Sequence, residues 1–164
     1  TESPATYAGQ HYRVTAAYAE PRPDPPPKIL VGGQGPKLMR LVAERADMWV
    51  WDYPLEMYRV PYDRLVRSCA EIGRPVSDIH LVCEAFAQFP ADPADFHGPH
   101  HSGYLDFMTS PLGPTPADAI IQLGPLVELG VAEFIVGFED FATAEQFVAE
   151  VIPAFRSTPA RRGS

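Results

Sequence analysis

Cysteine is scarce in this chain, with two residues, Cys69 and Cys83, among 164. They fall in segments of different pattern, show no CxxC spacing and lack the partners a zinc site needs, so buried, reduced thiols are expected and no metal is. Positive charge is scarce as well: 13 Lys and Arg stand against 21 Asp and Glu, for a formal net charge of -8. A nucleic-acid surface needs clustered cations to displace counterions from phosphates. No nucleic-acid partner is therefore expected, and an acidic cytoplasmic protein fits better. No apolar run approaches the roughly 20 residues that cross a bilayer, and no basic-then-apolar leader opens the chain, so no membrane partner is expected either. The sequence begins at Thr1 rather than Met, which leaves processing or truncation open.

Proline and glycine are abundant, at 19 and 12 residues, and they punctuate a repeating pattern. Residues 1–27 read as an irregular lead-in, with a possible short strand at 11–14 and an extended, proline-rich PRPDPPP at 21–27. Residues 28–31 form a short apolar strand, and 36–46 follow with Leu38, Leu41, Val42 and Ala46 on one helical face. A second strand at 48–51 precedes a helix carrying Leu55, Tyr58, Tyr62, Leu65, Cys69 and Ile72, closed by Gly73. Pro61 should kink or split that helix. A third strand spans 79–86, and Thr115, Pro116 and Asp118 supply the cap, first-turn proline and N3 acid of a helix ending near Gly130, with Pro125 as a defect. The fourth strand is 134–138. Thr143 with Gln146 then reads as a capping box before Phe147, Val148, Val151, Ile152 and Phe155. Residues 157–164 read as a frayed, flexible tail.

Four strands alternating with four helices predict an α/β fold with a parallel sheet and right-handed crossovers. A small doubly wound sheet and half of a (β/α)8 barrel both satisfy that pattern. Between the third strand and its helix lies a long connection, beyond the usual 2 to 6 or so residues, of the kind that forms lids and substrate walls.

The run ILVGGQGPKLMRL, residues 29–41, concentrates the chemistry. A glycine-rich turn entering a helix leaves backbone N–H groups and the positive helix end facing one point, which suits a phosphate. The same glycines equally suit a sharp strand-to-helix turn, and a short Gly motif alone does not decide. Trp49, Trp51 and Asp52 end the second strand, where barrel sites open, although core packing is the commoner role of tryptophan. His97, His100 and His101, with Asp95 and Asp106, lack regular spacing and read as a solvated loop. Glu84 on the third strand faces either the barrel axis or another polar core group and is not assigned a catalytic role. No Gly-x-Ser-x-Gly elbow occurs, and Cys69 reads as a helix-face hydrophobe. The catalytic residues remain unassigned.

The segments GQHYRV, PPPKILVGGQGPKLMRLVAERADMWVW, IGRPVSDI, PTPADAI and VIPAFR, in this order and spacing, resemble the C-terminal half of the luciferase-like monooxygenase family over residues 7–156. The pattern VGGxGP…LxAxxADxW carries most of the weight. The resemblance implies an oxidoreductase or monooxygenase fold, with 28–156 forming the C-terminal half of a TIM barrel, strands five to eight. It also implies FMN or coenzyme F420 as cofactor and a small-molecule substrate. In that family the equivalent loop contacts the cofactor phosphate, implying cofactor binding by Gly32, Gly33, Gln34, Gly35 and Lys37, with Trp51 and Asp52 as a substrate wall. A general barrel rule places phosphate after strands seven and eight, but here Glu139 and Asp140 follow the last strand and would repel it. Family members carry a further N-terminal half, so a homo-oligomer or a complementary N-terminal half is the expected partner. A non-catalytic half-barrel assembly module is the competing reading.

Overall fold

The computed structural model describes residues 4–18, 20–96 and 110–156. The expected tail at 157–164 and most of the long connection, including His97, His100, His101 and Asp106, lie outside them.

The lead-in holds more order than its composition suggests. Strands β1 (Ala5–Ala8) and β2 (Arg13–Ala17) pair antiparallel as a two-stranded sheet, so the segment is not irregular throughout. Its residues are nearly all exposed, including Tyr7, Tyr12 and Val14, so the hairpin lacks the one-sided burial that makes a strand legible as an alternation.

Four βα units follow: β3 (Leu30–Gly32) and α1 (Pro36–Arg45), β4 (Met48–Asp52) and α2 (Leu55–Ile72), β5 (His80–Ala87) and α3 (Pro116–Leu129), and β6 (Glu133–Phe138) and α4 (Phe141–Gln146). The strands form one parallel sheet in the order β3-β4-β5-β6. A doubly wound sheet reverses its order at a switch point; this sheet does not.

Register separates the two faces. The rows Val31–Trp49–Leu81, Trp51–Cys83–Phe134, Ala85–Val136 and Ala87–Phe138 share one face, and all of them join the hydrophobic core with Met39 and Val42 of α1, Tyr58 and Leu65 of α2, and Leu123 and Leu126 of α3. The opposite face carries Leu30, Val50, Asp52, Glu84 and Ile135 and contributes nothing to that core. Leu30 and Ile135 are each 43% exposed there, although both sit in strands. One side of the sheet is sealed by helices; on the other, Val82, Phe86 and Asp52 of the central strands are buried while Leu30 and Ile135 of the edge strands are exposed.

The helix boundaries follow from their caps. Gly73 and Gly130 end α2 and α3 in the left-handed region, at φ 69 and 107, where glycine carries no Cβ penalty. Thr115 and Asp118 form a complete capping box at α3. α2 is continuous through Pro61, so the helix is not split there, and α3 carries Pro125 as the expected defect inside a continuous helix. An interior proline costs about 3 kcal/mol, and burial of Pro61 with Tyr58, Leu65 and Cys69 on one face of α2 offsets it. The last helix is also capped differently: Asp140, not Thr143, is the N-cap, accepting from the Thr143 amide at 2.7 Å, and Thr143 is buried. A π segment (Phe147–Val151) then leads into α5 (Ile152–Arg156). Its wider turn buries Phe147 and Val151 and leaves Val148 exposed, against the expected face. In α1, Leu41 is likewise exposed, because Met39, Val42 and Ala43 take the buried stripe.

The Thr115→Ala substitution removes the two hydroxyl-borne hydrogen bonds between Thr115 and Asp118 and leaves the one donated by the Thr115 amide. It should cost about 1 kcal/mol, seen as a lower denaturant midpoint at unchanged slope.

Candidate functional site

The glycine loop between β3 and α1 is held from several directions. The Ile29 amide donates to the Asp47 carboxylate at 2.8 Å. The Trp49 indole N–H donates to the Gly33 carbonyl at 2.9 Å, and the Arg64 guanidinium donates to the Gln34 carbonyl at 3.0 Å. Asp47 and Trp49 are the acid and the tryptophan of the ADxW motif: Asp47 holds Ile29 at the entry to β3, and Trp49 holds Gly33 in the loop after it, 18 and 16 residues earlier in the chain. The spacing of the motif is thus the length of one helix plus its return to the neighbouring strand.

The three glycines are not equivalent. Gly33 has φ +130, a backbone angle that requires glycine; a Cβ there would also displace the terminal methyl of Leu38. Gly35 sits in ordinary extended backbone at φ -66, ψ 148, and a Cβ there meets nothing within 4 Å. The turn therefore explains Gly33 and leaves Gly35 without an internal reason.

Gly35 caps α1 with no side-chain acceptor, Pro36 occupies the first turn, and no acidic residue lies in that turn. By helix geometry the Lys37 and Leu38 amides then have no intrahelical partner. The contrast with the other units is electrostatic. Asp118 and Thr115 fill the N-terminus of α3, Asp140 fills that of α4, and Glu56 lies in the first turn of α2. The Asp140 carboxyl is held below its ordinary value by the hydrogen bonds it accepts from Thr143, so the position after the last strand already contains its own anion.

A cavity of about 510 Å³ opens at the C-terminal ends of the strands. Gly32, Gly33 and Gln34 form one wall, and Trp51, Asp52 and Glu84 the other. Five of the residues singled out from sequence, Gly32, Gly33, Gln34, Trp51 and Asp52, therefore meet in one place. Gly35 and Lys37 do not line it. Lys37 lies instead in a separate groove with Arg40, Arg64 and Arg67. Trp49 is also not a wall residue: it is fully buried on the helix-covered face, packed on Tyr58 at 4.9 Å between ring centroids. Val50 and Met57 line the cavity without having been anticipated, since apolar residues in a strand and a helix carry no signal of their own.

Asp52 and Glu84 are register partners on adjacent strands. Burial, and secondarily the Glu84 charge, raises the Asp52 carboxyl above its ordinary 3.8. Burial likewise pushes the Cys83 thiol up to about 12 and raises that of Cys69, which makes both poor nucleophiles. Among the described residues no group of three or more His, Cys, Asp or Glu is placed to hold a metal. No described helix is long and apolar enough to cross a membrane.

The profile of the luciferase-like monooxygenase family matches residues 1–156, and the chain belongs to that family. Among solved structures it is similar to the coenzyme F420-dependent tetrahydromethanopterin reductase from Methanopyrus kandleri, at 17% identity and TM-score 0.72, over 93% of this chain and 58% of that one. An F420-dependent secondary alcohol dehydrogenase, in complex with an F420–acetone adduct, matches at 18% identity and TM-score 0.66, over 96% of this chain and 57% of that one. Riboflavin lyase (RcaE), with modified FMN and riboflavin, matches at 11% identity and TM-score 0.68, over 98% and 50%. The chain thus spans only 50% to 58% of the length of these structures. Among curated proteins none matches the sequence.

Because the folded Asp52 carboxyl ionises at higher pH than in the unfolded chain, the folded state loses relative stability as pH rises through that raised value. Asp52→Asn should therefore melt higher than the wild type at pH 7, with the advantage vanishing as pH falls to 3.8. Thermal melts across pH 3.5–7 (about two units either side of the midpoint of that range) check this; equal midpoints throughout would mean the charge is fully compensated.

Proposed function

We propose that the chain is the cofactor-phosphate half of a flavin- or deazaflavin-dependent oxidoreductase, with the glycine loop as the anion site and Trp51 and Asp52 in the substrate wall. The observation that carries this is the single cavity joining Gly32, Gly33 and Gln34 to Trp51, Asp52 and Glu84 at the carboxyl ends of parallel strands, where barrel enzymes place their sites. FMN and F420 both bear a phosphate, and the residues present fit one. α1 offers an uncapped N-terminus free of acidic side chains, and Gly35 leaves open space where a side chain would otherwise stand. Lys37, outside the cavity, contributes long-range positive charge at that helix end.

When bound, the reduced cofactor supplies the hydride or electron pair. The chain's own residues bind and orient. The loop amides fix the phosphate end, while Asp52, whose carboxyl burial raises above its ordinary value, lines the same cavity with Trp51.

The sequential strand order and open face support the half-barrel reading. β3 and β6 are the sheet edges, with unpaired backbone groups of the kind proteins cover, and Leu30 and Ile135 are exposed on the face a closed barrel turns inward. A complementary N-terminal half or a second copy of this chain supplies the cover. The exposed face also favours the second reading, a non-catalytic assembly module, which predicts association without cofactor binding.

Two measurements separate these. Static light scattering should find an assembly heavier than a monomer at micromolar concentration; a stable monomer with cooperative unfolding argues for a self-contained open sheet. Gly35→Val tolerates its backbone angles and meets no internal neighbour, so it should fold. In the assembled protein it should weaken FMN or F420 by about tenfold or more, since close backbone approach is lost. Unchanged affinity sinks the phosphate assignment.

A further inference from the structure

We infer that Trp49 and Arg64 are positioning residues that aim the Gln34 and Gly35 amides at the bound anion, and this rests on the phosphate reading of the loop. A trans peptide is planar, with its C=O and the following N–H pointing in opposite directions. Holding a carbonyl therefore fixes the direction of the next amide.

Two consecutive carbonyls of this loop are held in that way. The Trp49 indole takes the Gly33 carbonyl at 2.9 Å, and the Arg64 guanidinium takes the Gln34 carbonyl at 3.0 Å. Both donors belong to the helix-covered side of the sheet: Trp49 is fully buried in the core and Arg64 lies on α2. The Gln34 and Gly35 N–H groups are consequently turned away from that side. Among the described residues neither amide donates a hydrogen bond. Left without its clamps, the loop is free to rotate either peptide plane and present a carbonyl oxygen, which repels an anion.

The two clamps differ in origin and rigidity. Trp49 is wedged against Tyr58 and cannot leave without opening the core. Arg64 is a half-buried side chain reaching from a neighbouring helix, 30 residues away in sequence. It is the adjustable member of the pair, and it also brings positive charge to the outer side of the loop. No glycine-loop pattern signals it, because it lies on the next helix.

The test compares affinities for FMN and riboflavin, which differ only by the phosphate, in the assembled protein. The variants are Arg64→Met, Arg64→Lys and Trp49→Phe. Arg64→Met and Trp49→Phe should each reduce the phosphate preference by about three- to tenfold while leaving affinity for the phosphate-free ligand within about twofold. Trp49→Phe changes no charge but removes buried volume along with the hydrogen bond, so its effect on phosphate preference is read against the affinity for the phosphate-free ligand. Arg64→Lys, retaining a donor and the charge, should recover part of the preference. Unchanged preference in folded Arg64→Met and Trp49→Phe overturns the inference, as does parallel loss of both ligands. A wild type that binds but shows no phosphate preference overturns the phosphate reading itself, and the positioning roles with it.

Discussion

The hydrogen bond from the Trp49 indole to the Gly33 carbonyl joins the sheet, the loop and the first helix at one point. Trp49 is immobilised by the core around it, and Gly33 adopts a backbone angle that side chains avoid. A turn made in this way enters α1 with no side chain spent on its cap. The same contact thus sets the direction of the chain and leaves the helix end available.

Availability matters because the chain is acidic overall, at -8. Negative side chains already lie at the N-terminal turns of α2, α3 and α4, where they complement the helix dipole and stabilise the fold. α1 has no such side chain in its first turn, and the loop that leads into it lines the cavity that also contains Trp51, Asp52 and Glu84. With glycine at the cap the fold forgoes only about a few tenths of a kcal/mol relative to a polar capping side chain, and an anionic ligand would take the place of that side chain on binding.

Much of this was legible in the sequence wherever one residue type has one physical meaning. Gly73 and Gly130 mark helix ends because they alone adopt left-handed angles cheaply, and Thr115 with Asp118 marks a helix start. The Gly loop and the strand-end Trp51 and Asp52 were visible because their types and positions are unusual together. Other features were hidden for equally physical reasons. Asp140 and Thr143 are both good caps, and only the chain path after β6 selects the first. Pro61 reads as a break until the burial of its helix is known. The hairpin of residues 5–17 has no buried face to generate a pattern. Arg64 is one surface arginine among several, and its contact with Gln34 exists only through the packing of α2 beside α1.

The central claim is that the amides of this loop receive a phosphate. Backbone ¹H–¹⁵N shifts of Gln34, Gly35, Lys37 and Leu38, followed while the assembled protein is titrated with FMN and with coenzyme F420, test it most directly. The account predicts large downfield amide proton shifts at these four positions with at least one of the two ligands, and their loss with the dephosphorylated form of the same ligand. Saturable binding that leaves these four amides unmoved would contradict it.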